Sequence, residues 1–216
     1  EVASGEAGNL RLGTGPTVER YILPPLLDRM ANRFPNAQAS IFVGLGEHLR
    51  QLLLDGRVDV IASSVLPGDS ESFAVEPLCE DHVTVLARRG HPLLEGKPEL
   101  ADLLDYKWIL PIRNLATRQW IDWAFISRGL PAPRVQVETG SFPMLPSMVR
   151  GSDMLTFAPR VLLSDLGTTH QFAEIALPET TMSRTIALIY AKNKYRSPIL
   201  ENLITLVRQY YRDTEA

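Results

Sequence analysis

At 216 residues, with 45% apolar and 22% charged side chains, the chain is long enough for one domain or two small lobes with a sizeable core. A net charge of -3 and a pI near 5.8 argue against wrapping a polyanion, which needs clustered Lys and Arg, so this stretch alone is not expected to bind nucleic acid. One cysteine, Cys79, fits a reducing compartment; no apolar run approaches the roughly 20 residues that span a bilayer, and EVASGEAGN lacks a secretory pattern, so a cytoplasmic protein with no membrane partner is expected.

The chain is organised around Asn9 to Pro35. A short strand, Asn9 to Gly13, meets a turn at Gly15 and Pro16. Val18, Ile22, Leu26, Met30 and Phe34 then recur every four residues, which predicts a helix with one apolar face. Pro24 and Pro25 should kink or restart it. A helix N-terminus following a strand's carboxyl end is where open α/β sheets bind ligands, and its amides and dipole favour an anion.

Ala39 to Val43 is expected as a second strand, and Glu47 to Asp55 as a helix with Gly56 as its left-handed cap. Val58 to Ser63 is nearly all apolar, the pattern of a buried strand. This alternation predicts a parallel sheet with right-handed crossovers. The pattern breaks at VLPGDSES, read as a loop, and two strands follow without a helix between them, Phe73 to Pro77 and His82 to Arg88.

A second alternating series begins at Glu99. It comprises a short helix (Ala101 to Leu104), a strand (Lys107 to Leu110), a helix (Thr117 to Arg128) and a strand (Arg134 to Thr139). A helix (Phe142 to Arg150), a strand (Met154 to Ala158), a short helix (Pro159 to Asp165) and a strand (Phe172 to Ile175) come next. A strand, Arg184 to Lys192, and a helix from Ser197 to about Arg212 end the chain, the helix carrying Ile199, Leu203, Val207 and Tyr210 on one face. The expectation is α/β: two Rossmann-like lobes joined by two crossover strands. The first lobe takes residues 9–86 and 188–216, the second 87–187.

Enzyme motifs fail on specifics. Gly13-Thr14-Gly15 begins a dinucleotide fingerprint, but Val18 stands where a third glycine is needed for close helix packing. Gly68-Asp69-Ser70 resembles a hydrolase nucleophile motif without the Asp and His that should follow near the C-terminus, and neither a nucleophile elbow nor a phosphate-cradling lysine loop is found. His48, His82, His91 and His170 lack metal-ligand spacing, so neither metal nor cofactor is expected.

The runs GNLRLG, LPPLLDRMANRFP, LRQLLLDGRVDVIAS, VEPLCEDHVTVLARRGHPL, LADLLDYKWILP and MLTFAPRVL resemble the effector-binding domain of LysR-type transcriptional regulators, from Gly8 to about Arg212. The spacing of Leu49, Leu53, Gly56 and Asp59 and the tripeptide His91-Pro92-Leu93 are the most specific parts. The resemblance implies a type 2 periplasmic-binding-protein-like fold that senses a small molecule between its lobes. It also implies a winged helix-turn-helix ahead of Glu1, through which alone DNA is bound, with residues 1–8 as the tail of a linker. Gly151-Ser152-Asp153 departs from the Gly-rich turn the family often has there.

Carried onto this chain, the resemblance puts effector contacts at Thr14, Gly15, Pro16 and Thr17, at Gly44 and Leu45, and at Ser63 and Ser64. In the second lobe it puts them at Ile112 and Arg113, at Thr139 and Ser141, and at Phe157. Hydroxyls, helix N-termini and arginines suit a small carboxylate. Second readings stay open: Thr14 and Thr17 as helix caps, Ser63 and Ser64 as turn formers, Arg113 and Arg118 as solvated charges, Thr139 and Ser141 as caps, Phe142 and Phe157 as core. Trp108, Trp120 and Trp123 are assigned to packing. The family pairs as homodimers, with higher oligomers in full-length proteins; here Leu23, Leu27 and Met30, or the outer face of Ala39 to Val43, would take part. A solute-binding protein of a transport system has the same architecture, and the lone thiol, the absent export signal and the HPL segment favour the sensor.

Overall fold

Alternating apolar residues make β1 (Ala7–Thr14), which buries Leu10 and Leu12. The computed structural model describes residues 7–141, 144–163 and 171–215. Pro16 opens α1 (Pro16–Tyr21), and the chain restarts after Ile22 as α2 (Leu23–Arg33), because Pro24 and Pro25 have no N–H to continue the first helix. Val18, Leu26, Met30 and Phe34 are all buried, as the four-residue period predicts.

The chain falls into two compact units, the first running to Glu80 and resuming at Thr185, the second from Asp81 to Arg184. In the first, β1 lies between β2 (Asn36–Val43) and β3 (Val60–Ser64) and runs parallel to both. The last strand, β9 (Met182–Ala191), pairs antiparallel with β3, so the expected parallel sheet is mixed at this edge. Helices cover both faces. Leu26 and Met30 of α2 join Leu203 and Val207 of α7 (Pro198–Glu215) over Leu10, Leu12 and Val60, while Leu49 and Leu53 of α3 (Gly46–Leu54) pack on Ile61 and Ile189. Tyr210 and the tail at residues 1–6 lie outside what can be described of side chains and backbone respectively.

The Leu/Gly/Asp spacing has a local cause. Gly56 adopts φ +68° just past α3, a left-handed position that a side chain would strain. Arg11 then donates to the Gly56 carbonyl at 2.7 Å and to both carboxylate oxygens of Asp59, at 3.2 and 2.5 Å. That bond to Asp59 raises the Arg11 pKa above its ordinary value. The network locks the turn between α3 and β3 onto β1.

Two expectations are corrected here. Phe73 to Arg88 is one continuous strand, β4, with Pro77 at an exposed position where its missing N–H costs little. The stretch read wholly as loop contains a one-turn helix, α4 (Asp69–Ser72). The unit boundaries also lie ahead of the crossings expected near Leu86 and Leu188: Val83, Val85 and Ala87 already belong to the second core, and Ala187 and Ile189 to the first. Thr185 donates to Glu80 at 2.7 Å at the edge of the first unit, and Arg184 donates to Asp81 at 2.7 and 2.5 Å at the edge of the second.

The second unit repeats the strand-helix alternation. β5 (Trp108–Pro111) runs parallel to β6 (Val135–Thr139) and to β7 (Leu155–Pro159), while β4 pairs antiparallel with β7 and with β8 (Phe172–Ile175). Two helices, α5 (Ala116–Ile126) and α6 (Met144–Arg150), connect them. The expected helices at Ala101 to Leu104 and after Pro159 are 3-10 turns, Leu100–Asp105 and Arg160–Leu163; the first opens on a Glu99/Asp102 capping box. Phe142, His170 and Ser164 to Asp165 lie outside the described residues. Trp123, assigned to packing, is 65% exposed on the outer side of α5.

His91 of the HPL segment is fully buried against Tyr106, ring centroids 4.5 Å apart, and beside the Arg88–Asp153 ion pair. Its Nδ1 accepts from the Leu93 N–H and its Nε2 lies 3.2 Å from the Asp153 carbonyl, which fits the neutral Nε2–H tautomer. Burial is the main cause that holds its pKa below the ordinary histidine value, against the opposing pull of Asp153. Below about pH 6.5 the unfolded chain therefore binds a proton that the folded chain refuses, and stability falls as pH falls. In urea titrations the wild-type advantage over His91→Gln should narrow between pH 8 and pH 5.5; a constant difference would show that His91 does not titrate with folding.

Candidate functional site

Register brings the first-unit candidates together. Thr14 pairs with Val43 of β2 and with Ala62 of β3, so Gly15, Gly44 and Ser63 follow one another at neighbouring carboxyl ends. The Gly44 N–H donates to the Thr14 carbonyl at 2.9 Å, which fixes the two turns. A Cβ on Gly44 would stand 3.0 Å from Leu49 Cδ2, and one on Gly13 3.1 Å from the same atom. Small residues are needed there because α3 packs directly under the rim.

Thr14 is fully buried, and its hydroxyl donates to the Ala62 carbonyl at 3.1 Å rather than capping α1, whose N-cap is Gly15 with no side-chain bond. Gly15, Pro16, Thr17, Leu45 and Ser64 are half-buried and form the reachable rim. α1 has only six residues, so its dipole is short.

Below the rim sits a residue that the sequence reading passed over. Arg50 of α3 is 4% exposed and donates from Nε and Nη2 to Asp69 at 3.1 and 2.5 Å, a bidentate pair. Its remaining donors reach Ser63 Oγ at 3.2 Å, the Gly46 carbonyl at 3.3 Å and the Ser64 carbonyl at 2.8 Å. Asp69 also accepts from the Leu66 N–H at 2.7 Å. Ser63 is thus more than a turn former: it is buried and is one anchor of the Arg50 guanidinium. Asp69, weighed above as part of a hydrolase motif, is that guanidinium's counter-ion.

In the second unit Pro111 pairs with Thr139, which sets Ile112 and Arg113 beside Thr139 and Ser141 at the ends of β5 and β6. Arg118, read as a solvated charge, is buried instead. It donates to the Pro111 carbonyl at 3.1 Å, to Glu138 at 2.9 Å and to Asp122 at 2.9 Å, so it ties the two strand ends to α5. Arg113 is exposed, 3.9 Å from Glu138. Thr139 Oγ1 accepts from the Ser141 N–H at 2.9 Å, a local turn bond. The Phe157 ring is buried in the second core and stacks on Trp120 at 5.4 Å with an interplanar angle of 1°, the packing role left open for it above.

Among the described residues no cluster of three or more His, Cys, Asp or Glu could hold a metal ion, and no helix is long and apolar enough to cross a membrane. A family model described as the LysR substrate binding domain matches residues 3–212. The chain belongs to that family. LysR-type domains of this kind are the effector-binding part of transcriptional regulators, and their fold is the periplasmic-binding-protein-like type 2 fold seen here as two α/β units. The HTH-type transcriptional regulator YeiE of Escherichia coli K12 is 28% identical over 197 residues, covering 91% of this chain and 67% of that one. The chain spans about half to two thirds of the length of the curated relatives it matches.

Two LysR-type structural neighbours are the Synechocystis CcmR regulatory domain in complex with 2-PG and the QuiR effector-binding domain in complex with shikimate. The first has a TM-score of 0.85 at 22% identity, covering 95% of this chain and 98% of that one. The second has a TM-score of 0.80 at 21% identity, covering 96% and 98%.

Proposed function

We propose that this LysR-type domain senses a small anionic metabolite and thereby controls transcription, within a cytoplasmic regulator that contacts DNA through a helix-turn-helix segment. The observation that carries this reading is the convergence of Gly15, Thr17, Leu45 and Ser64 at three adjacent strand ends held rigid from beneath by Arg50. Helix-start amides beside a hydroxyl suit an oxyanion. In the second unit Ile112, Arg113, Thr139 and Ser141 are the corresponding proposed contacts. Shikimate and 2-PG, bound by the QuiR and CcmR domains, are the natural first probes.

A thermal-shift screen of organic acids tests the reading. An acid at 100 times its Kd should add about 2.7 kcal/mol of stability, and Thr17→Val or Ser64→Ala should weaken it by several-fold. No stabilisation by any acid would defeat the reading.

A homodimer is part of the same proposal. Of the pairing candidates, Leu23 and Met30 are buried in the first unit's own core and Leu27 is partly buried against it, while Ile41, Phe42 and Val43 of the edge strand β2 are exposed. On the second unit, Trp123 and Ile126 of α5 are exposed three residues apart on one helical face. Sedimentation should show a dimer that Val43→Asp or Trp123→Asp splits; a monomer at high concentration would refute pairing.

A further inference from the structure

Away from the rim, the first unit carries a cavity between α2 and α7. Its volume is about 370 Å³, a size that holds small ligands, and it is lined by Arg29, Asn32 and Arg33 of α2 and by Leu206 and Gln209 of α7. Asn32 and Arg33 stand three and four residues after Arg29, so the three share one helical face. β2 begins at Asn36, three residues past Arg33, and reaches the rim only at Val43, which sets cavity and rim about 23 Å apart along the strand.

No described carboxylate lines this space. Arg29 makes an interaction of its own, whereas the only partner of the Arg33 guanidinium among the described residues is the Phe34 ring, 5.9 Å away. A guanidinium over an aromatic ring keeps its in-plane N–H fork for an anion. Like charges one turn apart also destabilise a helix until a counter-charge sits beside them. Leu206, nearly buried, gives the cavity an apolar wall. Asn32 Nδ2 is spent on the Asp28 carbonyl at 2.9 Å, which leaves its Oδ1 as an acceptor, and Gln209 makes no side-chain hydrogen bond to a described residue.

We propose that this cavity is a second ligand site, for a small hydroxylated phosphate monoester. The phosphate accepts from the Arg33 fork in the field of Arg29, the organic part covers Leu206, and its hydroxyls bond Asn32 Oδ1 and the Gln209 carboxamide. Charge sets the class. The site is open to water, where one ion pair is worth little, and the carboxyl end of α2 itself repels an anion, so two guanidiniums call for two negative charges on one group. A phosphate monoester carries nearly that at neutral pH, while a dicarboxylate divides them between two groups. The site is separate from the rim and stands or falls independently of the sensor reading.

Calorimetric titration of this chain with glycerol phosphate, against inorganic phosphate and succinate, tests the assignment. Glycerol phosphate should bind about five-fold or more tighter than either comparator, the phosphate group setting it above succinate and the hydroxyl bonds above inorganic phosphate. Arg33→Gln should weaken it about ten-fold or more, and Arg33→Lys, which keeps the charge but not the fork, about three-fold or more. Gln209→Leu should remove the advantage over inorganic phosphate, and Thr17→Val at the rim should change nothing. Arg33 and Gln209 are exposed, so these variants should melt like the wild type. No saturable binding of glycerol phosphate, or binding unchanged in Arg33→Gln, overturns the assignment. So does equal affinity for succinate, the mark of general attraction between charges. Binding that is lost in Thr17→Val and kept in Arg33→Gln also overturns it, because the phosphate then sits at the rim and the sensor reading alone is supported.

Discussion

Asp69→Ala is expected to destabilise the protein by about 3–5 kcal/mol, the cost of leaving a buried charge without its partner. For a chain of this length that corresponds to a melting point roughly 6–20 °C lower. Arg50 and Asp69 each have side chains only 5% exposed, so water cannot replace the lost bonds. The double variant Arg50→Met with Asp69→Leu removes both charges, and should recover most of the loss, since paired replacement by apolar residues is often neutral. Guanidinium unfolding of the three proteins measures this. A single-variant loss under 1 kcal/mol would show that the pair is solvated and does not hold the rim. Binding separates the two roles of Arg50: the double variant keeps the fold but frees Ser63 and the Ser64 carbonyl, so acid affinity should fall even where stability returns.

Arg50 also shows where the sequence stops being informative. Periodicity reports which residues share a helical face, and it placed Leu49, Leu53, Ile121 and Phe125 in the cores that bury them. It says nothing of a partner 19 positions away, so the Arg50–Asp69 pair could not be foreseen. Arg118 was closer to readable: it stands three residues before Ile121 and seven before Phe125, on the same buried face. An arginine on an apolar stripe signals a buried guanidinium with acceptors waiting, here Pro111, Asp122 and Glu138.

Strand ends were predictable because a βα alternation puts every strand's carboxyl end on one rim. Which rim residues face outward was not, because it depends on tertiary hydrogen bonds such as that of Thr14 to Ala62. Pro77 misled the reading of β4 for a related reason: a proline breaks a strand only where its N–H is needed, and that is fixed by the neighbouring strand.

Trp108→Ala is expected to cost about 3–5 kcal/mol, as for other large aromatic deletions in cores. Trp108 is fully buried in β5, meets Phe125 edge-on at 6.0 Å, and donates from Nε1 to the Leu103 carbonyl at 3.1 Å. Two effects are therefore superposed, a lost volume and a lost hydrogen bond, and Trp108→Phe separates them. Phenylalanine keeps much of the apolar contact but leaves the buried Leu103 carbonyl without this donor, which by itself costs about 1–3 kcal/mol. The alanine variant should fall well below the phenylalanine variant in urea midpoint. Equal losses would mean that the Leu103 bond, and not packing against Phe125, fixes the 3-10 turn onto β5. Because β5 runs parallel to both β6 and β7, loosening Trp108 also loosens the strand ends that carry Ile112 and Thr139, so stability and acid binding should decline together in the alanine variant.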